Sequence, residues 1–180
     1  MTRLKFHKGA WMRGYFAIGA ERISKPMNLG NLMRSAHAFG AKFFFTIGAH
    51  PRAFEAKSDT SKAAFHIPVY HWASPGEMVL PLRCKLVGIE LIESAVELPA
   101  FRHPLHAAYV LGPELGVLSQ ELLSRCDHII KIPTAFCINV AMAGAIVMYD
   151  RMRSLGSYPD RMDAAQVTQE KAAQMRGRKN

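Results

Sequence analysis

Short apolar runs rich in Phe, Val, Ile and Tyr recur along the chain, separated by stretches whose apolar residues repeat at helical spacing. The runs Tyr15–Gly19, Lys42–Ile47, Val69–His71, Lys85–Glu90, Ala107–Leu111 and His128–Ile132 have the length and composition of strands. Leu29–Phe39, Thr60–His66, Gly76–Leu82, Ser119–Arg125 and a last stretch from Asn139 to Ser154 read as helices. Strand–helix alternation of this kind predicts an α/β domain with a mostly parallel sheet.

Two helices carry more than their period. Leu29, Leu32, Met33, Ala36 and Phe39 fall on one face, which is therefore core, with Asn28 in the N-cap position and Gly40 just past the end. Asn31 and Arg34, three apart, project together from another face. The last helix is apolar nearly all round over Val140–Tyr149 and carries the small trio Ala143, Gly144 and Ala145. A helix without a polar face has to be buried on every side, which predicts a subunit interface in addition to the core. From Tyr158 onward the composition turns polar and reads as a mobile tail.

With 180 residues, 49% of them hydrophobic and 21% charged, the chain has room for one well-packed domain. The net charge of +9 changes the picture once it is divided. Residues 1–13 contribute +4 through Arg3, Lys5, Lys8 and Arg13, residues 151–180 contribute another +4, and the middle is nearly neutral. Basic arms on a neutral domain suit a polyphosphate backbone, because each neutralised phosphate releases counterions.

No apolar run reaches the length of a membrane span, the N-terminus lacks the pattern of a secretory signal, and a cytoplasmic protein is expected. Three cysteines without C-x-x-C spacing give neither a disulfide framework nor a zinc site, and no metal is expected. The close pair His103 and His106 reads as surface, and Glu90, Glu93 and Glu97 read as a solvated edge or loop. Nucleotide-binding glycine loops, metalloprotease helices and hydrolase elbows are all absent.

Three segments remain, each at the end of a strand: Lys25–Arg34, Leu111–Ser119 and Ile130–Val140. Ligands bind at the carboxyl ends of strands in an open α/β sheet. These segments offer glycines and backbone groups, with almost no charge except Arg34 and Glu114, which suits a flat, largely neutral ligand held by main-chain hydrogen bonds.

In this order and at these separations the three segments resemble the motifs of the SpoU (TrmH-type) RNA 2′-O-ribose methyltransferases, of the SPOUT class. Asn28, Gly30 and Arg34, with Asn31 beside them, are similar to the family's N-x-G-x-x-x-R. Gly112, Pro113, Glu114 and Gly116 resemble its G-x-E-x-x-G region, and Ile138, Asn139, Val140, Tyr149 and Asp150 its last motif and the helix after it. The resemblance spans roughly residues 15–155. Cys137 departs from it, standing where the family usually has serine.

The resemblance implies helices on both faces of the sheet, a C-terminal trefoil knot and a homodimer, with a SPOUT domain over 14–156, a basic arm over 1–13 and a basic tail over 157–180. It implies S-adenosylmethionine as cofactor, held near Ile89, Leu111, Gly112, Ile132, Cys137, Ile138 and Ala141. Arg34 would be the catalytic residue. A guanidinium is a poor base, so bidentate binding of the phosphate next to the 2′-hydroxyl is the better physical role. Asn31 and Asn139 would orient these groups, and Glu114 would brace Arg34 or a loop N–H. RNA would be gripped by Asn28 and Arg34 and by Arg3, Lys5, Lys8, Arg13, Arg151 and Arg153. The chain leaves no room for the extra N-terminal RNA-binding domain of many relatives and resembles compact ones that act on tRNA. That puts tRNA ahead of rRNA as the substrate, with a non-catalytic RNA-binding protein as the alternative.

Overall fold

The computed structural model describes residues 14–55 and 66–158. Seven strands, β1 (Tyr15–Glu21), β2 (Phe44–Ile47), β3 (Val69–Trp72), β4 (Lys85–Ile89), β5 (Val96–Glu97), β6 (His106–Leu111) and β7 (His128–Lys131), form one sheet. Their order is β3-β2-β1-β6-β4-β7-β5, and every pairing is parallel. The chain runs outward from β1 to β3, and β4 begins beyond the far side of β1. It then inserts β6 between β1 and β4, and β7 between β4 and β5. The central strands are buried on both faces, which explains their unbroken apolar sequence.

Alternate residues of these strands feed two cores. Phe16, Ile18, Phe44, Val87 and Tyr109 face helices α1 (Pro26–Phe39) and α3 (Val140–Ser154), which pack on each other. Ala17, Phe45, Leu86, Ala108 and Val110 face the short α2 (Gln120–Arg125) through Leu118 and Leu122. Helices therefore lie on both faces. Gly144 makes the α1–α3 approach possible: a Cβ there would lie 2.3 Å from Leu32 Cδ1. Gly40 ends α1 in the left-handed conformation, as its position predicts.

Three expectations change, and one falls outside the described residues. Helix α1 starts at Pro26, whose fixed φ suits the first helical position, so its N-cap is Lys25 and Asn28 lies inside the helix. The helix expected over Gly76–Leu82 is a single 3₁₀ turn, Pro75–Glu77, because Met78 turns extended and Pro81 disfavours helical geometry at Leu80. Strand β5 carries no hydrophobic pattern, since both of its residues are exposed. The expected helix Thr60–His66 lies, apart from His66, outside the described residues. No helix among the described residues is long and apolar enough to cross a membrane.

Candidate functional site

A pocket of about 230 Å³ opens at the carboxyl ends of β4, β6 and β7. Ile89, Glu90 and Leu91 line it from β4 and just after, Leu111 to Gly116 from β6 and its loop, Ile132 and Thr134 from beyond β7, Cys137 and Ile138 from the approach to α3, and Val140 and Ala143 from α3 itself. Of the residues expected to hold a cofactor, Ile89, Leu111, Gly112, Ile132, Cys137 and Ile138 are all in this wall. Ala141 is buried beside it, and its N–H is taken by the Asn139 side chain. Gly112 is small for a reason: a Cβ there would meet Glu90 Oε2 at 3.1 Å and the Leu118 nitrogen at 3.3 Å.

Hydrogen bonds tie the three strand-end segments together beside the pocket. Glu114 accepts from the Ser24 N–H at 3.0 Å, the Lys25 N–H at 2.9 Å, the Ser24 hydroxyl and Asn28 Nδ2. Burial alone would raise its pKa, but the loop N–H groups and the Asn28 amide hold it below the ordinary carboxylate value. Asn28 Oδ1 accepts from Asn139 Nδ2 at 2.9 Å, and Asn139 Oδ1 caps α3 by accepting from the Ala141 and Met142 N–H groups. Glu114 thus braces loop N–H groups, one of its two expected partners.

The loop after β6 is anchored at two further points that sequence reading missed. Buried Glu21, at the end of β1, accepts from both the N–H and the hydroxyl of Ser119. Glu90 accepts from the Leu118 N–H at 2.8 Å and the Leu91 N–H at 3.0 Å, so it is a loop anchor and not part of a solvated edge. The signal for Glu21 was a lone acid closing an apolar strand, since such an acid is buried only with partners.

Asn31 and Arg34 lie on the exposed side of α1, about one and nearly two turns beyond Asn28. Asn28, expected to face RNA, is 7% exposed and its amide is committed to Glu114 and Asn139, so in this structure it links protein segments. Arg151 is the larger correction. Its guanidinium is fully buried and donates to the carbonyls of Pro104, Leu105 and Tyr15 and to the Tyr109 hydroxyl, which removes it from any RNA-facing surface. Arg153 is half-buried in the last turn of α3, and Arg3, Lys5, Lys8 and Arg13 lie outside the described residues, as does the tail beyond Tyr158. His103 is also buried, between the Tyr109 hydroxyl and Asp150, contrary to its surface reading. Burial pushes its pKa down, more than Asp150 raises it. No metal-binding cluster exists among the described residues.

The model of the SpoU rRNA Methylase family matches residues 15–149. The chain belongs to this family. Its curated relatives include the 23S rRNA (uridine(2479)-2′-O)-methyltransferase of Streptomyces viridochromogenes, 26% identical over 146 residues, which cover 74% of this chain and 50% of that one. Another is the mouse tRNA (guanosine(18)-2′-O)-methyltransferase TARBP1, 26% identical over 76% of this chain and 9% of its own length. The chain thus spans half or less of these two SpoU relatives.

Among solved structures, the SpoU methyltransferase AviRb from Streptomyces viridochromogenes in complex with AdoMet is 24% identical, with a TM-score of 0.68 over 81% of this chain and 62% of that one. A protein solved for the 2-OH methylation of C/U34 on tRNA is 20% identical, with a TM-score of 0.67 over 81% of this chain and 99% of that one. These likenesses establish the SpoU fold for this sheet and its helices.

Proposed function

We propose that this chain transfers a methyl group from S-adenosylmethionine to a ribose 2′-hydroxyl of RNA, with tRNA as substrate ahead of rRNA. The observation that carries this reading is that two of the three strand-end segments line one pocket and the third is tied to both beside it, through Glu114, Asn28 and Asn139. The pocket fits the cofactor chemically. Ile89, Leu111, Ile132 and Ile138 give apolar walls for a flat base, and the Gly112 backbone is bare enough for close approach. When bound, S-adenosylmethionine supplies an electrophilic methyl on a cationic sulfur.

The chain's own residues do the rest. Arg34 takes the phosphate adjacent to the target ribose in a two-pronged grip and so fixes the direction of the 2′-hydroxyl. That phosphate accepts the hydroxyl proton as the oxygen attacks, since an unactivated alcohol is a weak nucleophile. Asn31, three residues before Arg34 on α1, steadies the same RNA strand. Asn139 and Glu114 act at one remove, by holding the loops that form the pocket. The catalytic domain is 14–156, and the basic segments 1–13 and 157–180 grip the RNA backbone.

We further propose a trefoil knot around the pocket and a homodimer. Support for the knot is the insertion of β6 and β7 between strands already placed. Support for the dimer is the exposed apolar stripe of α3. The tRNA preference is supported by the likeness that covers 99% of a compact chain associated with tRNA methylation. The rRNA reading keeps the support of the Streptomyces relative's name.

The test is incubation with labelled S-adenosylmethionine and unmodified tRNA or rRNA, followed by nucleoside digestion. A 2′-O-methylated nucleoside from the tRNA pool is the expected result. Cofactor binding without methylation of either pool would point to a missing partner or an unusual substrate, and no cofactor binding at all would favour a non-catalytic RNA-binding protein. Full activity in Arg34→Lys would overturn the two-pronged role, because an ammonium cannot supply it.

A further inference from the structure

Glu90 stands in the wall of the pocket, immediately after β4. Its two carboxylate oxygens each take one backbone N–H, from Leu91 at 3.0 Å and Leu118 at 2.8 Å. Glu114 lines the pocket too, held by the backbone N–H groups of Ser24 and Lys25, the Ser24 hydroxyl and the Asn28 amide. No lysine, arginine or histidine is among the described residues of that wall. The ammonium of Lys131, at the end of the neighbouring β7, is turned to the carbonyls of Ile92 and Glu93. Backbone N–H groups fix a carboxylate without cancelling its charge, so its field falls on whatever fills the pocket.

We infer that Glu90 is a specificity-determining residue, which makes the pocket prefer a ligand with a positive centre over a neutral ligand of the same shape. The inference rests on the cofactor proposed above and extends it to the release of product. S-adenosylmethionine enters with a positive sulfur. Transfer breaks the sulfur–methyl bond, forms the oxygen–methyl bond and gives the hydroxyl proton to the RNA phosphate, leaving S-adenosylhomocysteine as a neutral thioether. The product loses the one feature that the Glu90 field holds, and leaves. Gly112 belongs to the device, because only a residue without a Cβ lets the carboxylate lie against the loop without displacing it.

The test is direct binding by calorimetry, with no turnover. The ligands are S-adenosylmethionine, sinefungin (an ammonium in place of the sulfonium) and S-adenosylhomocysteine. The proteins are the wild type, Glu90→Gln, Glu90→Asp and Glu93→Gln. The wild type is expected to bind the two cationic ligands about tenfold more tightly than the neutral one. Glu90→Gln is expected to reduce that ratio to about twofold, while Glu90→Asp and the control Glu93→Gln keep it. A loosened loop weakens all three ligands alike and leaves the ratio unchanged, so the ratio reads charge separately from fold. A wild-type ratio near one overturns the inference, as does a ratio that survives in Glu90→Gln or is lost in Glu90→Asp. Failure of the wild type to bind any of the three overturns the cofactor reading as well.

Discussion

Asn28 and Asn139, 111 residues apart, meet in a 2.9 Å hydrogen bond that closes a directed chain across the site. The carboxylate of Glu114 only accepts, so the NH₂ of Asn28 faces it and the carbonyl of Asn28 is left for the NH₂ of Asn139. The carbonyl of Asn139 then faces the first N–H groups of α3. Each amide has one workable orientation, and the three segments are locked in one register.

Asn139→Ala removes the cap of α3 and leaves the Asn28 carbonyl without its partner. The two losses together cost about 1–3 kcal/mol, expected as a fall in melting temperature of about 2–4 °C per kcal/mol. Asn139→Asp keeps the cap but turns a carboxylate toward the Asn28 carbonyl, so it should recover only part of the loss. Thermal unfolding of both variants checks this, and an Asn139→Ala protein as stable as the wild type would refute it.

Glu114 makes the site sensitive to acid. Its pKa is held below the ordinary 4.5, against the upward push of burial, by the N–H groups of Lys25 and Ser24 and the amide of Asn28. A group with a depressed native pKa contributes stability that is complete above the unfolded value. That contribution is lost as pH falls from about 4.5 through the native value. Glu114→Gln should therefore lower stability at neutral pH and flatten the acid limb, with the two curves converging at low pH. Denaturant midpoints measured from pH 7 to pH 3 decide it, and parallel curves would refute it.

Six of the seven strands were legible: β1, β2, β4 and β6 because parallel strands buried on both faces must be apolar, and β3 and β7 through β-branched and aromatic residues although they are only partly buried. Strand β5 was not, since Val96 and Glu97 are exposed and offer no pattern. The pocket was legible because its walls come from strand ends that carry glycines and Glu114, although Glu90 in the same wall read as part of a solvated edge. The bonds that fix it were hidden. Glu21 meets Ser119 across 98 residues, and nothing local in either segment marks the partner. Arg151 misled for a related reason: the backbone carbonyls that hold it leave no trace in sequence, so its charge read as surface.

That buried guanidinium yields a prediction opposite to the one its charge suggests. Arg151→Met strips the donors from the Pro104 carbonyl and the Tyr109 hydroxyl, and should cost about 3 kcal/mol. The variant that remains folded at low temperature should bind RNA with the affinity and salt slope of the wild type. Binding isotherms at several salt concentrations, read beside a denaturation curve, test both halves. A salt slope smaller by about one would restore Arg151 to the RNA surface.

The face that α3 turns outward is the last point to test. Met142 is 62% exposed, Ile146 39% and Tyr149 53%, at i, i+4 and i+7 along one side of α3, opposite its buried face. A stripe of this kind costs nothing in a dimer that covers it and invites association in a monomer that does not. Met142→Glu and Ile146→Glu each put a charge where the proposed partner packs but leave the chain's own core untouched. The expected outcome is a dimer for the wild type and a folded monomer for the variants, by light scattering coupled to size exclusion and by circular dichroism. A monomeric wild type, or variants that keep the dimer mass, would move the interface elsewhere.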